Sequence, residues 1–190
     1  MPDTISPESC LSQNNQDSKA SVPCAALPRV IKDNTMKIRR AETRDIPALN
    51  HLLFQVNDVH ADGRPDIFIH GMKKYTDEEL AVLLQDEARP VFVYEEDNGN
   101  VPGYCFCIIE ETGGGNLRPM KSLYIDDLCV DEARRGGHIG TQLYIFVKDW
   151  ARTQGFYRIT LNVWELNAPA AAFYRHLGLK PLKTTMEELL

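Results

Sequence analysis

An α/β architecture built around one mixed sheet is the fold class that this 190-residue sequence predicts, and three observations predict it. Runs of branched and aromatic residues alternate with runs of helical periodicity, in the order βααβββαβαβ and without an internal repeat. Asp97-Asn98-Gly99-Asn100 lies between two apolar runs, a strong signal for a hairpin and so for antiparallel pairing. From Val130 to Gly140 a strand leads into Val-Asp-Glu-Ala-Arg-Arg-Gly-Gly-His-Ile-Gly and then into a long amphipathic pattern, a strand-turn-helix unit.

The elements follow in order. Residues 1–35 combine Ser6, Ser9, Ser12, Ser18 and Ser21 with four prolines and the polar run Gln13 to Asp17, and such a stretch cannot bury enough apolar surface to offset its ordering entropy. It is expected to be a disordered tail, with the folded domain spanning 36–190. Met36 to Arg40 alternates as a short strand. Thr43 or Asp45 then caps a helix that tolerates Pro47 in its first turn and presents Ile46, Leu49, Leu53 and Val56 to the core. Asn57 to Ile69 reads as a polar, turn-rich loop, in which His60, Arg64 and Asp66 are free to meet a ligand.

Thr76-Asp77-Glu78-Glu79 is a capping box, opening a helix through Leu80, Leu83 and Leu84 that ends before Pro90. Val91 to Tyr94 and Gly103 to Ile109 are the hairpin strands, and Thr112 to Asn116, with three consecutive glycines, forms a looser turn before the strand Leu123 to Val130. After the glycine segment, Ile139, Leu143, Phe146, Val147, Trp150 and Ala151 recur at helical spacing, and Gln154-Gly155 supplies a left-handed stop. Tyr157 to Trp164 is the next strand. Asn167 caps a helix with Pro169 in its first turn, running to Gly178, and a last extended segment covers about Leu179 to Leu189.

Composition narrows the function. At 43% hydrophobic and 25% charged, the chain suits one globular domain with a real core. A formal net charge of −6 argues against nucleic acid as a partner, since a phosphate backbone calls for an excess of Lys and Arg. Cys10, Cys24, Cys105, Cys107 and Cys129 are odd in number and form no CxxC pair, which points to a reduced, cytoplasmic setting. His51, His60, His70, His138 and His176 have no metal-like spacing, so no metal is expected. No apolar run approaches the ~20 residues that span a bilayer, and the first residues show no basic segment followed by a hydrophobic core of the secretory type, so neither a leader nor membrane association is expected.

Two stretches carry candidate chemistry. The Val130–Gly140 turn, at the start of a helix, can point several backbone N–H groups and a helix dipole at a phosphate, although its glycines alone would equally serve a plain turn. On the strand before it, Asp126 and Asp127 stand inside an otherwise apolar run. Alternation sends them to opposite faces unless a bulge intervenes.

Taken together, these residues resemble the GCN5-related N-acetyltransferases, the GNAT superfamily, over roughly residues 36–190. The hydrophobic pair Leu128 and Val130, together with Asp131, falls in register before the family's acyl-CoA turn, Arg135 is its leading residue and Gly140 its last glycine. His138 takes the place of the middle glycine, at a cost on the order of 1 kcal/mol if the position requires a positive φ. Downstream, Asn167, Ala170, Phe173, Tyr174 and Gly178 match the family's Asn-x-x-Ala-x-x-Phe-Tyr helix and following Gly.

The resemblance implies a GNAT fold, with splayed parallel strands in a mostly antiparallel central sheet flanked by four helices. It also implies acetyl-CoA as co-substrate, held by Leu128, Cys129, Val130, Arg135, Gly136, Gly137, His138, Ile139, Gly140, Thr141, Asn167 and Tyr174. Tyr174 would be the general acid toward the CoA thiolate and Asp126 the base or amine anchor, with Asp127, His60, Arg64 and Asp66 on the acceptor side. Cys129 is set aside as a nucleophile. The expected reaction is acetyl transfer to a primary amine, foremost of a small molecule, by direct attack in a ternary complex. A protein N-terminal or lysine acetyltransferase and a non-catalytic acyl-CoA-binding module are the alternatives. A homodimer is common in the family.

Overall fold

The computed structural model describes residues 37–190, so the tail expected over 1–35 lies outside the described residues. Strands β1 (Lys37–Arg40), β2 (Val91–Glu95), β3 (Gly103–Gly114), β4 (Leu117–Val130) and β5 (Arg158–Leu161) form a five-stranded sheet in the order β1-β2-β3-β4-β5. The first four pair antiparallel, and β5 joins β4 in parallel. Four α-helices accompany it: α1 (Ile46–Gly63), α2 (Asp77–Leu83), α3 (Ile139–Thr153) and α4 (Ala168–His176). This is the mixed, mostly antiparallel α/β fold that the sequence predicts.

Strand alternation sorts the core into two layers. Val91, Val93, Tyr104, Phe106 and Cys129 pack with Leu49, Leu52 and Leu53 of α1 and Leu80 and Leu83 of α2. Phe92, Cys105, Cys107, Leu123 and Ile125 pack in the other layer with Tyr144, Val147 and Ala151 of α3. Each fully buried leucine contributes about 1.5–3 kcal/mol, so the α1 stripe alone is a large part of what holds that helix on the sheet. Thr76 caps α2 as its sequence indicates: its hydroxyl accepts from the Glu79 amide at 3.2 Å, and the Glu79 carboxylate accepts from the Thr76 amide at 2.8 Å. Asp45 stands at the N-cap of α1, but its carboxylate accepts from Arg39 at 2.7 and 2.9 Å and from the Glu42 amide at 2.8 Å, not from α1.

Four elements differ from their expected extent, the simplest being β5, which spans only Arg158–Leu161 of the expected Tyr157 to Trp164. Helix α1 runs on through Gly63, taking in Asn57 and His60, because buried Ala61 continues the apolar stripe of Leu49, Leu52 and Leu53 past a polar composition. The β3–β4 ladder continues out to Gly114↔Leu117, through residues whose glycines predict a loose turn from Thr112. The last expected strand, Leu179 to Leu189, does not form. Pro181 withholds a ladder N–H, and Leu182, Met186 and Leu189 stay exposed, so nothing draws the segment onto the sheet. Its anchor is Glu187, whose carboxylate accepts twice from Arg64, both at 2.8 Å.

Candidate active site

The site begins where two parallel strands part. Pairing of β4 with β5 stops at Ile125↔Leu161, while β4 continues to Val130. At the same point β4 carries a bulge against β3: Phe106 pairs with Asp127 and Cys107 with Ile125, which leaves Asp126 as the extra residue. A bulge rephases the strand, and both carboxylates reach the α1/α2 side. Asp126 meets Lys74 at 2.7 Å and the Tyr75 hydroxyl at 3.3 Å, and Tyr75 stacks on Phe106 of that layer at 6.0 Å. Asp127 accepts from the Tyr104 hydroxyl at 2.7 Å.

These contacts set the charges. Desolvation pushes the Asp127 carboxyl up to about 6, against the pull of the Tyr104 hydrogen bond and of Lys74. Burial works to lower the Lys74 ammonium, but the Asp126 carboxylate outweighs it and the net shift is upward. His60, in α1, is pushed down by burial and by Lys74, so it is neutral near pH 7.

Beyond Val130 the chain makes a short turn, Glu132–Arg134, and reaches α3 through Arg135, Gly136, Gly137 and His138. His138 is the N-cap residue and takes the left-handed conformation, φ 61 and ψ 10, with its side chain exposed and making no cap. The conditional cost of placing His at this position therefore applies. The amides of Ile139, Gly140 and Thr141 precede the first intrahelical bond, from the Gln142 N–H to the His138 carbonyl at 3.0 Å. A Cβ at Gly140 would come within 3.4 Å of Phe173 and 3.5 Å of Val130, so this turn lies flush against β4 and α4. The Arg135 side chain donates to the Val130 carbonyl at 3.2 Å.

On α4, Asn167 caps the helix by accepting from the Ala170 amide at 3.1 Å. Tyr174 is half-buried beside Phe173, with ring centroids 5.1 Å apart, and burial together with Cys105 and Asp127 pushes its phenol strongly upward. Its hydroxyl has no hydrogen-bond partner among the described residues, and it is not sealed from solvent. Cys129 buries its thiol against the Leu52 carbonyl at 3.6 Å, and burial pushes it up to about 12. Such a thiol is inert at neutral pH.

Comparison with known proteins decides what this arrangement belongs to. A model of the acetyltransferase (GNAT) family matches residues 55–179. The chain is a member of the GNAT acetyltransferase family. A tetramutant of the BH1408 protein from Bacillus halodurans is 30% identical, with a TM-score of 0.78 over 81% of this chain and 99% of that one. The aminoglycoside acetyltransferase meta-AAC0020 from an uncultured soil metagenomic sample, crystallised with trehalose, is 22% identical, with a TM-score of 0.64 over 83% and 98%. Glucosamine-6-phosphate N-acetyltransferase from Arabidopsis thaliana is 23% identical, with a TM-score of 0.61 over 82% and 99%. At that identity the last two share the fold. A search of curated proteins found no match.

Within this GNAT domain, the three loop residues singled out from sequence do not gather on the acidic pair. Arg64 is held by Asp66 at 2.8 and 2.7 Å and by Glu187, and its guanidinium lies 5.8 Å from the Trp164 ring. His60 packs with Phe68 at 5.0 Å and Trp164 at 6.5 Å. The side chains that do meet Asp126 and Asp127 are Lys74, Tyr75 and Tyr104, none of which the sequence marks. Tyr104 could be found only from the β3–β4 register. Among the described residues no cluster of His, Cys, Asp and Glu could hold a metal, and no helix is long and apolar enough to cross a membrane.

Proposed function

We propose that this GNAT protein is an acetyl-CoA-dependent N-acetyltransferase that acts on a primary amine of a small molecule. The observation that carries the proposal is the coincidence of the β4–β5 opening with the bulge that turns Asp126 and Asp127 to one side. An acyl donor and a cationic acceptor can then approach the same stretch of strand from different directions. The residues fit acetyl-CoA. The unpartnered amides at the start of α3 suit its pyrophosphate, and the strand edge from Leu128 to Val130 suits its pantetheine arm as an added β-strand.

Acetyl-CoA would supply the activated acetyl thioester, which the amine attacks directly in a ternary complex. In that complex the N–H of Val130, which the antiparallel ladder with β3 leaves on the open edge, would donate to the carbonyl oxygen as a one-donor oxyanion site. Asp126 anchors the acceptor as an ammonium. An alkylamine with a pKa near 10 must lose a proton before it attacks, and Asp127, with its carboxyl near 6, is ionised at neutral pH and able to take it, directly or through water. Tyr174, protonated and with no hydrogen-bond partner for its hydroxyl among the described residues, would give its proton to the departing thiolate.

Thiol release from acetyl-CoA over a panel of small primary amines and peptides tests the proposal. Release with small amines is the expected result. Release with peptides alone would replace it with a protein N-acetyltransferase, and tight acetyl-CoA binding without release across the panel would make the protein a non-catalytic acyl-CoA-binding module.

A further inference from the structure

The ion pair between Lys74 and Asp126 lies where the proposed reaction needs a different cation, and the role assigned to Lys74 rests on that reaction. The Lys74 ammonium donates to Asp126 Oδ2 at 2.7 Å, the Tyr75 hydroxyl reaches the same oxygen at 3.3 Å, and the ammonium lies 5.4 Å from the Tyr75 ring centroid. The two partners are held very differently. Asp126 belongs to the sheet at the bulge and its side chain is 15% exposed, whereas Lys74 comes from the connection between α1 and α2 and its side chain is 48% exposed.

Tyr75 is fixed without help from Lys74. It stacks on Phe106, and Arg89 donates to its hydroxyl at 3.1 Å. Withdrawing Lys74 would thus leave a formed seat consisting of a carboxylate, a phenol oxygen and an aromatic face. That set recognises a primary ammonium, and the side chain now in it is an unbranched four-carbon alkylammonium.

We propose that Lys74 is an internal occupant of the acceptor subsite, filling the seat on Asp126 in the resting enzyme, and that the acceptor is an unbranched primary alkylammonium which displaces it. The lysine sets specificity by competition. Only an amine that replaces its contacts gains the site, and every acceptor's affinity is reduced by the fraction of enzyme in which Lys74 is seated. For a pair exposed on the lysine side that reduction is about fivefold. A lysine that merely braced the loop would have no such effect, because its removal would leave affinity unchanged or weaken it.

The test uses the full chain and n-butylamine, in a ligand-observed NMR titration in the presence of CoA. Lys74→Met keeps the length and apolar character of the stem and removes the charge; it is expected to lower the Kd about fivefold, with the KM from thiol release following. Lys74→Arg should restore the wild-type Kd. In an Asp126→Asn background binding should be weak and indifferent to Lys74→Met. An unchanged or higher Kd in Lys74→Met, or a fall that persists without the Asp126 carboxylate, would overturn the inference. The titration needs no turnover. Tighter binding in Lys74→Met without thiol release would uphold the role of Lys74 and refute acetyl transfer, whereas release without a change in Kd would do the reverse.

Discussion

Replacing Asp127 with Asn should stabilise the fold near neutral pH while impairing the reaction. The half-buried Asp127 carboxyl is raised from 3.8 to about 6, chiefly by desolvation. The native state therefore holds this proton more tightly than the unfolded chain does. At the acid end both states are protonated and the site is neutral in its effect. As pH rises from 3.8 toward about 6 the unfolded chain ionises first and stability falls, and above that range the penalty is constant. The rise from 3.8 to about 6, at about 1.4 kcal/mol for each tenfold change in proton affinity, sets a ceiling near 3 kcal/mol. Because the residue as a whole is only half-buried, the expected value is lower, about 2 kcal/mol.

Asn has the same shape, and its Oδ1 can still accept from Tyr104, so the exchange removes little besides the charge. Urea unfolding of both proteins at about pH 4 and about pH 7.5 should show nearly equal stability at the acid end and an advantage of about 2 kcal/mol for Asp127→Asn at the other. A difference of the same size at both pH values would refute desolvation as its cause. Wild-type kcat/KM should also fall as pH drops through about 6, where Asp127 takes up its proton and can no longer act as a base, and the variant should lack that limb.

The remaining predictions concern the turn, α4 and the C-terminal segment. Tyr174→Phe should keep the melting temperature and acetyl-CoA binding but lower kcat about a hundredfold, the low end for a general acid, in a thiol-release assay. His138→Gly should add about 1 kcal/mol to stability in a denaturant titration, because it relieves a left-handed conformation at φ 61. Acetyl-CoA affinity should persist, since the backbone N–H remains. Glu187→Gln should leave the unfolding midpoint unchanged yet speed limited proteolysis beyond Gly178, because the Arg64–Glu187 pair ties that segment down.

How much of the fold and the site is legible in the sequence depends on the range of the interaction concerned. The Thr76 box, the Asn167 cap and the strand-turn-helix around Gly140 are set by residues a few positions apart, and all three form. Helix α1 outruns its sequence signal because Asn57, Asp58, Asp62 and Gly63 look like a loop, although Ala61 still falls on the buried stripe and packing outweighs composition. Leu179 to Leu189 looks extended and apolar, but a strand needs a partner edge, and Pro181 makes this one a poor donor. Lys74, Tyr75 and Tyr104 reach the acidic pair across long stretches of chain. No local pattern reports such contacts.

The bulge explains why two adjacent acids can stand in an otherwise apolar strand. In β4, Leu123 and Ile125 lie in the α3 layer, and so does Leu128, three residues on from Ile125. Regular alternation would have placed Asp127 with them, beside the buried Cys105 and Cys107 and away from the Tyr104 hydroxyl that it accepts from, where the desolvation cost of an ionised carboxylate is less well offset. One extra residue moves the phase by one. Leu128 then returns to the α3 layer and Cys129 to the α1 layer, while both carboxylates face Tyr75 and Tyr104. Counting positions shows that a strand lacking Asp126 would alternate without a fault and keep every core side chain in its layer. Packing therefore does not call for the extra residue. What it adds is a second carboxylate on the side proposed for the acceptor, at the first residue beyond the β4–β5 pairing, and this ties the irregularity to the chemistry proposed for the site.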